Sequence, residues 1–277
     1  MAGSWLMISD LDGTFLNSSG KISSYSRRAL ARMIREGAKI TFASARTCAT
    51  IGPTLNGLVL PIPVIIMNGS ACYDFQTQKF LRCKQIPYPV AAEILGLIRS
   101  LGLNCFTHCL GEGRLDIYYD ALRHPTEESF YQERKDLALK RYHQESPPVG
   151  KETVYLSILA TDGQILQAAD LLKKLPCSQE INASHYSDVY HPGYSFLEIY
   201  HKDASKKNAV LAYREKYQLP VAVFGDNLND LSMMEIADRS FAVGNAVDAV
   251  KQQADEIIGT NDEDAVAKTM EVLFYKA

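Results

Sequence analysis

Short apolar runs that stop abruptly in polar or turn residues set the rhythm of this chain. Trp5-Leu6-Met7-Ile8, Lys39-Ile40-Thr41-Phe42-Ala43, Val64-Ile65-Ile66-Met67 and Pro220-Val221-Ala222-Val223-Phe224 are short and nearly continuous in apolar character. That is the pattern of strands buried in a mainly parallel sheet. Between the first two, Ser23 or Ser24 caps a segment in which Ala29, Leu30, Met33 and Ile34 keep helical spacing, and Gly37 ends it. Strand, helix and strand in that order make a βαβ unit, with parallel strands joined by a right-handed crossover. Late in the chain, Ser205-Lys206-Lys207-Asn208 opens a helix carrying Ala209, Val210, Ala212 and Tyr213, and Leu231, Met234 and Ala237 form the apolar side of the next. Residues 240–243 and 256–258 read as final short strands, and 264–274 as a terminal helix.

The middle of the chain keeps a different pattern. Residues 73–86 read as a hairpin, and near Pro87-Tyr88-Pro89 the chain leaves the parallel core. A helix is then expected over 90–101, strand-like runs over 104–109 and 114–119, and a polar helix over 126–143. A strand over 153–159, a helix over 163–175 and a strand-rich stretch over 181–200 follow. The expected fold class is α/β: a Rossmann-like, doubly wound parallel-sheet core built from residues 1–86 and 192–277, with an inserted α/β domain over 87–191.

Composition narrows the function classes. The chain has 277 residues, 47% hydrophobic and 22% charged, enough apolar material for a sizeable core. A net charge of −3 and a pI near 6.1 provide no basic field for nucleic acid or an anionic membrane, so neither partner is expected. The apolar stretch 58–67 is broken by Pro61 and Pro63 and is too short to span a bilayer, and Met1-Ala2-Gly3-Ser4 lacks the basic start of a leader. A cytoplasmic protein is expected, its six cysteines free thiols; oligomeric state is unreadable. Cys105-Phe106-Thr107-His108-Cys109 lacks a second pair of zinc ligands and reads as small buried side chains.

The chemistry concentrates where strands end. Asp10-Leu11-Asp12-Gly13-Thr14 follows the first strand, and in open α/β sheets ligands bind at the carboxyl ends of strands. Two carboxylates one residue apart repel each other unless a cation sits between them, which implies a hard divalent ion, Mg²⁺, beside a carboxylate able to act as nucleophile. Ser44-Ala45-Arg46 ends the second strand, where the Ser44 hydroxyl either bonds a phosphate oxygen or caps the helix beginning near Thr47. Asn68, before Gly69, either lines the site or shapes the turn. Gly225-Asp226-Asn227-Leu228-Asn229-Asp230 puts further acidic groups after another strand.

These segments resemble the motifs of the haloacid dehalogenase superfamily. Asp10-Leu11-Asp12-Gly13-Thr14 is similar to its first motif, Ser44 to its second, Lys202-Asp203-Ala204-Ser205-Lys206 to its lysine motif and Gly225 to Asp230 to its fourth. Val243-Gly244-Asn245-Ala246 resembles a segment of the Cof-type, class IIB capped sugar phosphatase branch, although Ala45 and Lys207 stand where the family more often has glycine. The resemblance implies that Asp10 is the nucleophile and Asp12 the acid and base. It further implies that Asp10, the Asp12 carbonyl and Asp226 hold Mg²⁺, and that Ser44, Lys206 and Asn229 bind phosphate. Lys207 and Lys202 are the alternatives to Lys206, and Gly13, Thr14, Arg46, Asn68 and Asp230 are expected in support. The reaction implied is Mg²⁺-dependent hydrolysis of small phosphate monoesters, such as sugar phosphates, through an aspartyl-phosphate. A phosphomutase or a phosphoacceptor signalling protein is the alternative. The inserted domain would be a cap carrying specificity, with Arg114, Tyr118, His185, Tyr186 and Tyr190 as candidates.

Overall fold

A computed structural model describes residues 5–188 and 191–276; Tyr190 and the tetrapeptide before Trp5 lie outside them. The chain begins with β1 (Leu6–Ser9), α1 (Ser24–Arg35), β2 (Lys39–Phe42), α2 (Cys48–Leu55), β3 (Val64–Ile66), β4 (Ala71–Asp74) and β5 (Lys79–Leu81). Its middle holds α3 (Tyr88–Ser100), β6 (Phe106–Leu110), β7 (Leu115–Tyr118), α4 (Pro125–Gln132), β8 (Lys140–His143), β9 (Thr153–Thr161), α5 (Asp162–Leu172), β10 (Ile181–Ser187) and β11 (Tyr194–His201). It closes with α6 (Lys206–Tyr217), β12 (Val221–Gly225), α7 (Leu231–Met234), β13 (Arg239–Ala242), α8 (Asp248–Gln253), β14 (Glu256–Ile257) and α9 (Ala265–Tyr275).

Two compact units result, one from residues 1–81 with 205–277 and one from 82–204. In the first, a parallel sheet runs in the order β14-β13-β12-β1-β2, and a parallel bridge from Ala43 to Ile65 continues it to β3. Every residue of β1 and of β12 is buried, as the unbroken apolar runs require of central strands. Helix α1 packs against α9 and α6 against α7, the helical layers of a doubly wound sheet. Ser23 caps α1 by accepting from the Ser26 amide.

In the second unit a six-stranded sheet runs β10-β11-β9-β6-β7-β8, antiparallel except for β7 with β8. Helices α3 and α5 cover one face, where Ile94, Ile98 and Ile165 pack on Leu156, Ile158 and Leu197. Cys105 and Cys109 are buried side chains here; Thr107 Oγ1 lies against the Cys105 sulfur and Thr153 Oγ1 against that of Cys109.

Two expectations change. The polar helix over 126–143 is helical only through Gln132, and 140–143 is a strand beside β7. The segment lacks a continuous apolar stripe, so tertiary pairing outweighs helix propensity once Leu139 turns the backbone at φ 66°. The boundaries also differ from 86/87 and 191/192: residues 82–86 and 192–204 group with the inserted unit. Strand β11 pairs with β9 and β10, and Ile86 bridges to Thr153, contacts that composition does not reveal.

Candidate active site

Register aligns the reactive loops. Ser9 stands level with both Phe42 and Phe224, so the segments after β1, β2 and β12 leave the sheet side by side. Asp10 is extended (φ −62°, ψ 163°) and its amide donates to the Phe224 carbonyl at 3.0 Å. The chain then turns through Gly13 at φ +72°, where a Cβ would collide with Asp226 Oδ2; only glycine permits both the conformation and the approach. Thr14 Oγ1 donates to Asp226 Oδ1 at 2.7 Å and ties the first acidic loop to the second.

Lys206 arrives from the start of α6. Ser205 caps that helix by accepting from the Asn208 amide, and the bare Cα of Gly69 leaves room for the Ser205 carbonyl. The Lys206 side chain is buried, not solvated, and Nζ donates to Asp10 Oδ1 at 2.6 Å and to Asp230 Oδ1 at 2.7 Å. The other Asp230 oxygen accepts from the amides of Asp226 and Asn227 at 2.9 and 3.1 Å. Asp230 thus clamps the turn after β12 and orients the lysine with one carboxylate. The alternatives to Lys206 lie elsewhere: Lys207 pairs with Glu235 and Lys202 with Glu180.

Burial and charge dominate the electrostatics. Desolvation pushes the Asp10 carboxyl up to about 8, with Lys206 opposing and Asp230 adding to the rise. Desolvation likewise pushes Asp226 up to about 6 against the hydrogen bond from Thr14. Burial alone would lower the Lys206 ammonium, but Asp10 and Asp230 outweigh it and hold it above its ordinary range.

The donor set fits a hard divalent cation. Asp10, Asp226 and Asp230 offer carboxylate oxygens within 4.8 Å of one another, and with Lys206 the group's formal charge is −2. Both Asp230 oxygens are already engaged, so Asp10 and Asp226 have the oxygens to spare. The Asp12 carboxylate is outside this group. It is 52% exposed and held by Arg46, whose Nε and Nη2 donate to its two oxygens at 2.7 and 2.5 Å, while Nη1 donates to Thr54.

Ser44 is fully buried at the end of β2. Its oxygen accepts from the Arg46 amide at 3.1 Å and its hydroxyl remains able to donate. It does not cap α2, whose N-cap is Thr47. Asn68 occupies the left-handed region (φ 52°) and its amide donates to the Ser44 carbonyl, so it shapes the turn; its side-chain oxygen also accepts from Asn229 at 3.3 Å. Asn229 is exposed beside Asn68, at the margin of the carboxylate group. Pattern reading left two side chains without a role: Asn245 donates to the Gly13 carbonyl and Asn261 to that of Leu16. The Val243 to Ala246 motif pointed toward Asn245; nothing in hydrophobic periodicity marks Asn261.

Residues 7–270 match the family model of the haloacid dehalogenase-like hydrolases. The chain is 27% identical over 273 residues to the pyridoxal phosphate phosphatase YbhA of Escherichia coli K12, covering 94% of each. It is also 27% identical over 278 residues to the 5-amino-6-(5-phospho-D-ribitylamino)uracil phosphatase YwtE of Bacillus subtilis, covering 93% of this chain and 94% of that one. Among solved structures it resembles a haloacid dehalogenase-like hydrolase from Bacteroides thetaiotaomicron, with 26% identity, a TM-score of 0.78, and 98% and 100% of the two chains covered.

Proposed function

Given that the chain belongs to the haloacid dehalogenase-like hydrolases and is a phosphatase, we propose that it hydrolyses small phosphate monoesters through an aspartyl-phosphate on Asp10, with Mg²⁺ as its metal. The observation that carries this reading is the buried Asp10–Lys206–Asp230 array beside Asp226, drawn from the ends of β1 and β12 and the start of α6. A carboxylate so held has one oxygen on Lys206, with a lone pair left for a cation, and the other free to attack phosphorus. Lys206 uses two of its three N–H donors on carboxylates, and the third is available to a phosphate oxygen. The Ser44 hydroxyl supplies a second donor.

Asp12 is the group of this loop that meets solvent, and Arg46 grips both its oxygens. In our reading it gives a proton to the leaving oxygen as the ester bond breaks and later takes one from the water that cleaves the acyl-phosphate. Asp10 and Asp226, with the Asp12 carbonyl, would hold Mg²⁺, which would offset charge on the phosphoryl oxygens. Two relatives of equal identity are a pyridoxal phosphate phosphatase and a 5-amino-6-(5-phospho-D-ribitylamino)uracil phosphatase, which supports a small phosphorylated metabolite as the substrate class. No helix among the described residues is long and apolar enough to cross a membrane.

The test is phosphate release from p-nitrophenyl phosphate and a panel of small phosphorylated metabolites, with Mg²⁺ or with EDTA. Turnover that requires the metal and disappears in Asp10→Asn and Asp12→Asn is expected. Stable labelling of Asp10 by acetyl phosphate without release to water would overturn the hydrolase reading in favour of a phosphoacceptor.

A further inference from the structure

The loop carrying Asp12 is not held by a regular ladder. Asp12 is extended (φ −73°, ψ 125°) and Gly13, the residue after it, has no Cβ to limit its rotation. Upstream, the loop is anchored where the Asp10 amide meets the Phe224 carbonyl. Downstream, its carbonyls are held by two asparagines remote in sequence. Asn245 Nδ2 donates to the Gly13 oxygen at 2.7 Å and Asn261 Nδ2 to the Leu16 oxygen at 2.8 Å. The Asn261 amide also donates to Asn245 Oδ1 at 2.9 Å, so the pair acts as one piece.

That piece is stiffly mounted. The Gly244 amide donates to the Gly259 carbonyl at 3.0 Å, and the Thr260 amide and hydroxyl both donate to Glu263 Oε2, at 2.7 and 2.9 Å. The Ser18 amide reaches Asp262, and Ser23 and Ser26 both donate to Asp264. The segment from Gly244 to Asp264 therefore grips the acidic loop at Gly13 and Leu16 and the chain beyond it at Ser18 and the start of α1, and Asn245 is its grip nearest Asp12.

We infer that Asn245 and Asn261 form a clasp that positions Asp12 for proton transfer at the leaving oxygen. The inference rests on the reading of Asp12 given above. Arg46 restrains the carboxylate itself, whereas the clasp fixes the main chain from which the carboxylate hangs. With the Gly13 carbonyl released, the main chain around Asp12 is left to the Thr14–Asp226 bond and the Leu16 amide on the Leu11 carbonyl, and a displacement of about 1 Å at a proton donor costs on the order of 100-fold in rate. Both asparagines are positioning residues: neither side chain belongs to the carboxylate group, and each acts through a backbone carbonyl.

The experiment compares Asn245→Asp, which keeps the shape and loses the donor, with wild type and Asp12→Asn. The substrates are p-nitrophenyl phosphate, phenyl phosphate and glycerol 2-phosphate at Mg²⁺ that saturates wild type, and again at tenfold higher Mg²⁺. The readout is kcat/KM, which reports the step that expels the leaving group. A good leaving group needs no proton, so we expect a loss of no more than about threefold on p-nitrophenyl phosphate and of about 10- to 100-fold on glycerol 2-phosphate. Asn261→Ala should show the same slope at smaller amplitude, and it carries the test if Asn245→Asp does not fold. A loss equal across all three substrates, or one recovered by raising Mg²⁺, overturns the clasp as a device for Asp12. Should single-turnover release of the leaving group by Asp12→Asn, which does not need the acyl-phosphate to be hydrolysed, show no dependence on the leaving group, the assignment of Asp12 as the acid fails first, and the two failures are thereby told apart.

Discussion

Replacing Lys206 by methionine isolates what the buried ammonium does. Methionine keeps the unbranched apolar stem as far as Cε but removes the ammonium, its charge and both hydrogen bonds, at 2.6 Å to Asp10 and 2.7 Å to Asp230. The three carboxylates then have no cation among them, and their formal charge goes from −2 with the lysine to −3 without it. Breaking a buried ion pair by removing one partner costs about 3–5 kcal/mol. Here the cost depends on pH, because the carboxyls can neutralise themselves. Asp10 already stands at about 8 with Lys206 in place, and losing the lysine raises it further. A folded-state pKa above the unfolded value contributes stability that is present at low pH and lost as pH rises through the folded pKa. The deficit of Lys206→Met relative to wild type should therefore be largest at pH 9 and shrink toward pH 6. Thermal unfolding in EDTA measures it. At about 2–4 °C per kcal/mol for a chain of this size, Tm should fall by about 10 °C at pH 9 and by under half that at pH 6. Phosphatase activity with Mg²⁺ should drop at least about 10³-fold throughout. A Tm deficit that stays flat with pH, or one below about 2 °C at pH 9, would refute the role of Lys206 as counter-charge to the site.

Three further outcomes follow from the same geometry. Asp10→Asn removes one of three crowded carboxylates while Asp230 still pairs with Lys206, so the variant should be inactive yet melt in EDTA at pH 9 no lower than wild type; a clearly lower Tm would contradict this. Mg²⁺ binds ionised carboxylates, and Asp226 and Asp10 are pushed up to about 6 and about 8, so metal affinity should rise from pH 5.5 to 8.5. Calorimetry at pH 7 in buffers of different ionisation enthalpy should accordingly detect proton release, and its absence would count against these ligands. Arg46→Gln breaks a partly exposed pair and should change stability by less than about 1 kcal/mol while lowering kcat/KM on alkyl phosphates about tenfold; equal loss on p-nitrophenyl phosphate would remove Arg46 as a partner of Asp12.

Sequence by itself determined the parallel core and the positions of the acidic loops. Runs such as Val221 to Phe224 are legible because a strand buried on both faces must be apolar at every position. Asp10 and Asp226 stood out because carboxylates at the ends of such runs have little purely structural use, whereas Lys206, at a helix start where a lysine is ordinarily solvated, was marked only by its resemblance to the family's lysine motif. Only the tertiary structure decided how those charges pair. Asp230, which taken alone reads as a helix-start acid and gains a supporting role only from the motif it closes, is the fully buried partner of Lys206, and the contact spans 24 positions of chain. Arg46 meets Asp12 across 34 positions, and Asn245 meets Gly13 across 232. Strand β8 and the grouping of residues 82–86 and 192–204 with the inserted unit were hidden for the same reason. A sequence exposes the period of burial along one element, whereas hydrogen-bond partners and strand neighbours come from distant segments with no shared local signal.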